Sequence, residues 1–231
     1  MVNNIAIIPA RGGSVRIPRK NIVDFFGKPM IAYTIEAALQ SDVFNKVVVS
    51  TEDEEIAAIS RQFGAEVPFM REKFADSHSG VDEVLCYALQ QAQEHYGETF
   101  DNVGWLQPSS PTRDFEDVRN AYAKFIETNT TCLSTIFRFG WMNPWWAMRL
   151  NEGRSEFIFD GVSKRSQDYD TLYSPTGAVG FVKAEALQPG FDFFGADSEY
   201  YELDWKKAID IDDPEDVEMA MAVWGLLYSK Q

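Results

Sequence analysis

Cysteine and histidine are nearly absent from this chain, with two of each among 231 residues. Neither Cys86 nor Cys132 belongs to a Cys-x-x-Cys pair, so neither a zinc site nor a disulfide framework is expected. His78 and His95 are too few for a histidine metal centre. Basic residues are also short: 21 Lys and Arg face 36 Asp and Glu, a formal net charge of −15. Such a surface repels a nucleic-acid backbone and an anionic membrane alike, so neither is an expected partner. No apolar run approaches the roughly 18 residues that a membrane-spanning helix needs. The N-terminal MVNNIAIIPARGG lacks a positive segment followed by a long apolar one, so no secretory signal is expected, and the expected compartment is the cytoplasm. Internal repeats and low-complexity linkers are missing too.

What is present suits one α/β domain over residues 1–231, with 45% hydrophobic residues and enough length for a proper core. IAIIPA (5–10) and KVVVST (46–51) are compact apolar runs that read as buried strands. AEVPFM (65–70) reads as a weaker strand, because Pro68 favours an edge or a strand end. NVGWLQ (102–107), TTCLSTIF (130–137), TGAVGFVKAEAL (176–187) and WKKAIDID (205–212) supply the other strand-like runs. Between them, helical spacing covers 30–41, 52–64, 81–97, 115–128 and 213–229. The second of these has acids in its first turn, and the last has Asp213 as N-cap, Pro214 at its first position and Asp216 three residues after the cap. Segment 138–172 breaks the alternation with Trp141, Trp145, Trp146, Gly153 and Gly161, and reads as an insertion that leaves the main sheet. Strand–helix alternation predicts a mostly parallel sheet covered on both faces, with ligands bound beyond the carboxyl ends of its strands.

Directly after the first strand comes PARGGSVRIPRKN (9–21), with Arg11, Arg16, Arg19 and Lys20 around Gly12, Gly13 and Ser14. Four cations in one turn of an acidic protein point to a locally held anion, and glycines let backbone N–H groups approach it. The spacing matches neither the Walker A loop nor G-x-G-x-x-G.

IPARGGSVRIPRKNI (8–22) resembles the cytidylyltransferases that activate nonulosonic acids, the sialic, legionaminic and pseudaminic acids. The resemblance continues in order through GKPMIAYTIEAAL (27–39), VVVSTEDEEIA (47–57), LQPSSPTR (106–113), SQDYDTLYSPTGAVGF (166–181) and AIDIDDPEDVEMA (208–220), nearly the whole sequence. It implies a three-layer, Rossmann-like nucleotidyltransferase sheet. It also implies a Mg²⁺-dependent reaction in which the anomeric hydroxyl of a keto sugar attacks the α-phosphate of CTP and pyrophosphate leaves. The loop residues Arg11, Gly12, Gly13, Ser14, Arg16, Lys20 and Asn21 would then hold the nucleotide, with Arg11 and Lys20 also serving catalysis. One departure stands out: the family usually has Ser-Lys after the glycines, and here Val15 follows Ser14. Two neighbouring readings stay open, a cytidylyltransferase for another keto acid such as 3-deoxy-manno-octulosonate and a nucleotide-binding homologue impaired in catalysis.

FMREKFADSHSG (69–80) resembles the family segment around the cytosine and ribose, which nominates Arg71 with Ser77 or Ser79; read alone, it is a loop that caps the next helix. The family places its glutamine of LQPSSPTR, here Gln107, against the acceptor sugar. Asp210 and Asp212 are two apart, so on an extended strand both would project to one spot and share a cation; the family places its magnesium there. The alternative is that acids at a strand end simply suit the helix N-terminus that follows. The insertion 138–172 resembles the family's dimerisation element, whose tip helps close the partner's sugar site, and its aromatics suit either an interface or a satellite core. Arg165 at its end suits a sugar carboxylate, with Gln167 and Tyr173 beside it. A homodimer with CTP and a nonulosonic acid as ligands is the expectation.

Overall fold

A computed structural model describes residues 2–76, 79–140, 142–160 and 164–228. Strand β1 (Asn4–Pro9) leads into the basic loop, a short hairpin of β2 (Asp24–Phe25) and β3 (Lys28–Pro29), and helix α1 (Met30–Gln40). β4 (Lys46–Ser50), α2 (Glu54–Gln62), α3 (Val81–Tyr96), β5 (Asn102–Trp105), α4 (Phe115–Thr128) and β6 (Cys132–Arg138) follow. The insertion contributes β7 (Met148–Asn151) and β8 (Arg154–Phe157); β9 (Tyr173–Lys183), β10 (Ser198–Leu203) and α5 (Pro214–Tyr228) complete the order. The main sheet has six strands in the order β10-β6-β9-β5-β1-β4. All run parallel except β9, which is antiparallel to both β5 and β6.

Alternation along β1 divides the core. Ala6 and Ile8 face one side, packed with Ile31 and Ile35 of α1, Ile56 of α2 and Phe125 of α4. Ile5 and Ile7 face the other, packed with Leu85, Ala88 and Leu89 of α3. Both faces being covered explains why β1 is apolar at successive positions from Ile5 to Ile8 rather than at every second one. The result is the expected three-layer α/β arrangement. A third cluster seats α5: Val223 and Ala220 pack with Ile17, Phe25, Ile209 and Ile211, which ties this last helix to the basic loop.

Helix starts are set by their capping acids. Asp53 accepts hydrogen bonds from the backbone of Glu55 and Ile56, and Asp114 from Glu116 and Asp117, so each acid caps otherwise unpaired N–H groups. At α5 the Asp213 carboxylate accepts from Glu215 and Asp216, and Asp216 accepts in return from Asp213, as the spacing predicted.

Two strand expectations are corrected. AEVPFM contributes only a single bridge, Glu66 to Val48, because Pro68 brings no N–H to extend the ladder. WKKAIDID forms a 3-10 turn at Trp205–Lys207 and then an irregular stretch, held to the sheet end by Ile211 N–H donating to Ser109 C=O at 2.8 Å. The edge strand of the sheet is instead SEYYEL, β10, whose charged and half-exposed positions suit an edge and hide it from a search for apolar runs.

The insertion leaves the main sheet, as expected. Phe139 N–H to Leu172 C=O closes its neck at 3.0 Å, and β7 and β8 pair only with each other. Trp145 stacks on Tyr169 with ring centroids 5.4 Å apart and donates Nε1–H to Asp170 C=O. Trp141 lies outside the described residues.

Candidate active site

Three adjacent parallel strands, β4, β1 and β5, end at one side of the sheet, and the loops that leave them enclose a cleft of about 270 Å³. Arg11, Ser14, Arg16, Lys20 and Asn21 come from the loop after β1, Gln107 and Ser109 from the loop after β5. Arg71 and Ser79 line it from the segment before α3, and Asp212 from the segment before α5. Four cationic side chains (Arg11, Arg16, Lys20, Arg71) thus face two carboxylates (Asp76, Asp212) in a protein of net charge −15. The cleft inverts the sign of the surrounding protein, which concentrates an anionic ligand there.

Asp212 organises one wall. Its carboxylate accepts from Lys20 Nζ at 3.0 Å and pairs with Arg16 Nη2 at 2.8 Å, and Lys20 also donates to Ile211 C=O at 2.7 Å. Burial pushes the Asp212 carboxyl up, but the hydrogen bonds and charges of Lys20 and Arg16 outweigh it and hold the group below the ordinary carboxylate range. Asn21 is buried and donates to Arg11 C=O, so it shapes the loop from inside. Val15, the departure from the family pattern, lies on the rim with 82% of its surface exposed.

The opposite wall is braced by a residue that sequence reasoning missed. Glu52 accepts from Gly12 N–H at 2.7 Å with one oxygen and from Arg71 Nη2 at 3.0 Å with the other. The acids of STEDEEIA read as the first turn of a helix, yet α2 begins only at Glu54, behind its Asp53 cap, and Glu52 turns instead to the loop. Burial pushes the Arg71 guanidinium below its usual pKa, and the Glu52 charge opposes that shift. The Arg71 Nε is buried without a partner, a donor still to be used at the cleft.

Gly12 therefore plays a different part from the one expected. Gly12 and Gly13 do not line the cleft; the Gly12 amide is already taken by Glu52, and a Cβ on Gly12 would meet Asp53 Oδ2 at 2.6 Å. Close approach of the loop to two acids, rather than to an anion, is what requires glycine at 12. Arg19 is likewise turned away, bonded to Asp53 and Glu55. We expect Glu52→Gln to raise the KM for CTP on the order of tenfold with a smaller change in kcat, because a hydrogen bond to a charged group contributes about 1.5–3 kcal/mol. Steady-state kinetics with saturating acceptor check it; an unchanged KM would remove Glu52 from the brace.

Gln107 sits at the floor, its backbone N–H donating to Gly177 C=O at 3.0 Å. Ser77 lies outside the described residues, whereas Ser79 lines the cleft and hydrogen-bonds to Asp76. Arg165, Gln167 and Tyr173 are not brought to this cleft: all three are exposed on or beside the insertion, and Arg165 pairs with Asp168 at 2.9 Å. Asp210 is exposed and does not line the cleft either, since the extended strand that would aim it alongside Asp212 does not form. Among the described residues no group of three or more acidic, histidine or cysteine side chains could cage a metal. A magnesium ion that takes one carboxylate and fills its shell with phosphate oxygens and water fits Asp212; a joint site with Asp210 does not.

A cationic cleft at the carboxyl ends of parallel strands, in an acidic three-layer protein, suits a nucleotidyltransferase. The profile of the family described as Cytidylyltransferase matches residues 5–139, and the protein belongs to that family. It is 36% identical over 226 residues to a pseudaminic acid cytidylyltransferase of Campylobacter jejuni, covering 96% of this sequence and 97% of the relative. An N-acylneuraminate cytidylyltransferase of Escherichia coli O18:K1:H7 is 33% identical over 223 residues, 95% of this sequence but 51% of the relative. Among solved structures, a CMP:2-keto-3-deoxy-manno-octonic acid synthetase complexed with CTP superposes with a TM-score of 0.71 over 97% of this protein and 99% of the other; at 18% identity the likeness is one of fold.

Proposed function

We propose that this enzyme transfers CMP from CTP to the anomeric hydroxyl of a nonulosonic acid. The observation that carries the reading is the reversal of charge in the cleft, where four cations gather in a protein of net charge −15. The sugar hydroxyl oxygen forms a bond to the α-phosphorus, the bond to the bridging oxygen breaks, and its electron pair leaves with pyrophosphate; the hydroxyl proton is lost to solvent or base. Phosphoryl-type transfer asks mainly for charge neutralisation and alignment. Lys20, Arg16 and Arg11 supply the neutralisation, Arg71 holds the nucleotide from the facing wall, and Gln107 presents a neutral amide to the acceptor. Asp212 would hold the Mg²⁺ ion, which when bound supplies further charge compensation and polarises the phosphate. Lys20 and Arg16, now paired with Asp212, would be the cations nearest the phosphates of a nucleotide bound there.

The compartment we propose is the cytoplasm. Free Cys86 and Cys132 suit a reducing environment, and among the described residues no helix is long and apolar enough to cross a membrane.

The proposed assembly is a homodimer built on the insertion. Leu150, 76% exposed, shares one face of the β7–β8 hairpin with exposed Met148 and Phe157, an apolar face of the kind that marks an interface. In this assembly Arg165, Gln167 and Tyr173, stranded outside the cleft of their own protomer, serve the partner's sugar site. Sedimentation at micromolar concentration is expected to give twice the protomer mass of 26.2 kDa. Leu150→Glu with Phe157→Glu is expected to give monomers with a raised acceptor KM. A wild-type monomer with full activity would defeat the assembly.

The test of the reaction is product identity. Incubation with CTP, Mg²⁺ and, separately, N-acetylneuraminic, pseudaminic and 3-deoxy-manno-octulosonic acids is expected to yield a CMP conjugate of one of the first two, detected by mass. Turnover of the octulosonate alone would replace the acceptor class.

A further inference from the structure

β9 is the one strand of the main sheet that runs against its neighbours, and it is broken by a bulge. Successive β6 residues Ser134 and Thr135 pair with Gly180 and Thr176, so residues 177–179 are skipped. The skipped residues are not idle. Gly177 C=O accepts from Gln107 N–H at 3.0 Å, and Ala178 C=O accepts from Arg113 Nε at 3.0 Å. Arg113, the last residue of LQPSSPTR, is only 2% exposed. Its Nη2 donates to Gln107 C=O at 3.1 Å and to Thr34 Oγ1. Burial pushes this guanidinium down to about 10, still a cation at neutral pH, and a cation is a costly thing to bury for packing alone.

The Gln107 side chain rests directly on Gly177. A Cβ at that position would stand 2.4 Å from Gln107 Cδ and 2.7 Å from both Nε2 and Oε1. The φ of Gly177 lies outside the left-handed region, so what a larger residue there would meet is not backbone strain but the tip of the Gln107 side chain, which would have to move. The backbone amide and carbonyl of Gln107 are thus held by the bulge and by the arginine anchored to it, while its side chain lies against Gly177 and accepts from Ser109 Oγ at 3.4 Å. Bulges beside active sites often re-aim a side chain in this way.

We propose that the β9 bulge and buried Arg113 form the positioning device for the Gln107 amide, and that Gly177 sets the amide's pose and with it the grip on the acceptor. The inference rests on the proposed role of Gln107 at the acceptor sugar.

The experiment is a double-mutant cycle on Gly177→Ala and Gln107→Ala, using whichever of pseudaminic or N-acetylneuraminic acid the wild type turns over. Gly177→Ala is expected to raise the acceptor KM by roughly tenfold or more, since small misplacements of a binding group are costly. The KM for CTP should stay within about twofold, a split that general loosening of the fold would not produce. In the Gln107→Ala background the glycine substitution should add almost nothing. Additive losses, or wild-type kinetics in Gly177→Ala, would overturn the positioning role while leaving the acceptor role of Gln107 intact. A normal acceptor KM in Gln107→Ala would overturn both. Should Gly177→Ala not fold, Thr34→Val, which removes one partner of Arg113, goes through the same cycle; it is expected to show the same split, and additivity there would sink the proposal.

Discussion

Replacing Asp212 by asparagine is expected to cut kcat by two to three orders of magnitude and to weaken the dependence on Mg²⁺. The shape of the side chain is kept and its charge removed. That charge anchors Lys20 and Arg16 in the free enzyme, at 3.0 and 2.8 Å, and in the proposed reaction it would hold the cation that accompanies the triphosphate. Asp210→Asn, two residues earlier but exposed and off the cleft, should leave both quantities nearly unchanged. Kinetics over a magnesium titration compare the two directly; equal losses would mean that the pair acts jointly. The stability of the two proteins should also differ with pH. A carboxyl whose folded-state pKa is depressed stabilises the fold above its unfolded value of about 4 and loses that contribution as pH falls below it. The Asp212→Asn protein should lack this part of the acid destabilisation that the wild type shows.

The loop cations should divide sharply in their effect on CTP. Lys20→Ala is expected to lower kcat/KM for CTP by about a hundredfold or more, because Lys20 lines the cleft and presents its ammonium beside Asp212. Arg19→Ala, one residue away, should change it by no more than about threefold. Arg19 is spent on Asp53 and Glu55, and its guanidinium holds the Asp53 carboxyl below its ordinary pKa through their hydrogen bond. Its φ of 58° marks the start of the Lys20–Ile22 turn. Steady-state kinetics with saturating acceptor measure both variants. Comparable losses at 19 and 20 would contradict the geometry of the loop.

Much of this architecture is legible in the sequence because the parallel strands are buried on both faces. IAIIP and the three valines of KVVVS are unbroken apolar runs, and the last helix announces itself by its Asp213 cap. The edge is harder to read. SEYYEL pairs on one side only and carries glutamates, while AIDID looks like a strand and is held instead by single bonds such as Ile211 to Ser109. The candidate site follows the same division. Position after β1 locates the basic loop, but which cations face the ligand depends on where acids from α2 fall, and that is a matter of packing. Glu52 looks like any helix-start acid until Gly12 and Arg71 are seen on its two oxygens. Arg113 carries no pattern that distinguishes a buried guanidinium from a surface one.

The central claim is tested most directly by counting pyrophosphate. With CTP, Mg²⁺ and a nonulosonic acid present together, one pyrophosphate should appear for each keto sugar whose anomeric centre is capped, and none should appear when either substrate is withheld. Pyrophosphate from CTP without the sugar, equal release from UTP or ATP, or tight CTP binding with no release under any acceptor, would contradict the account.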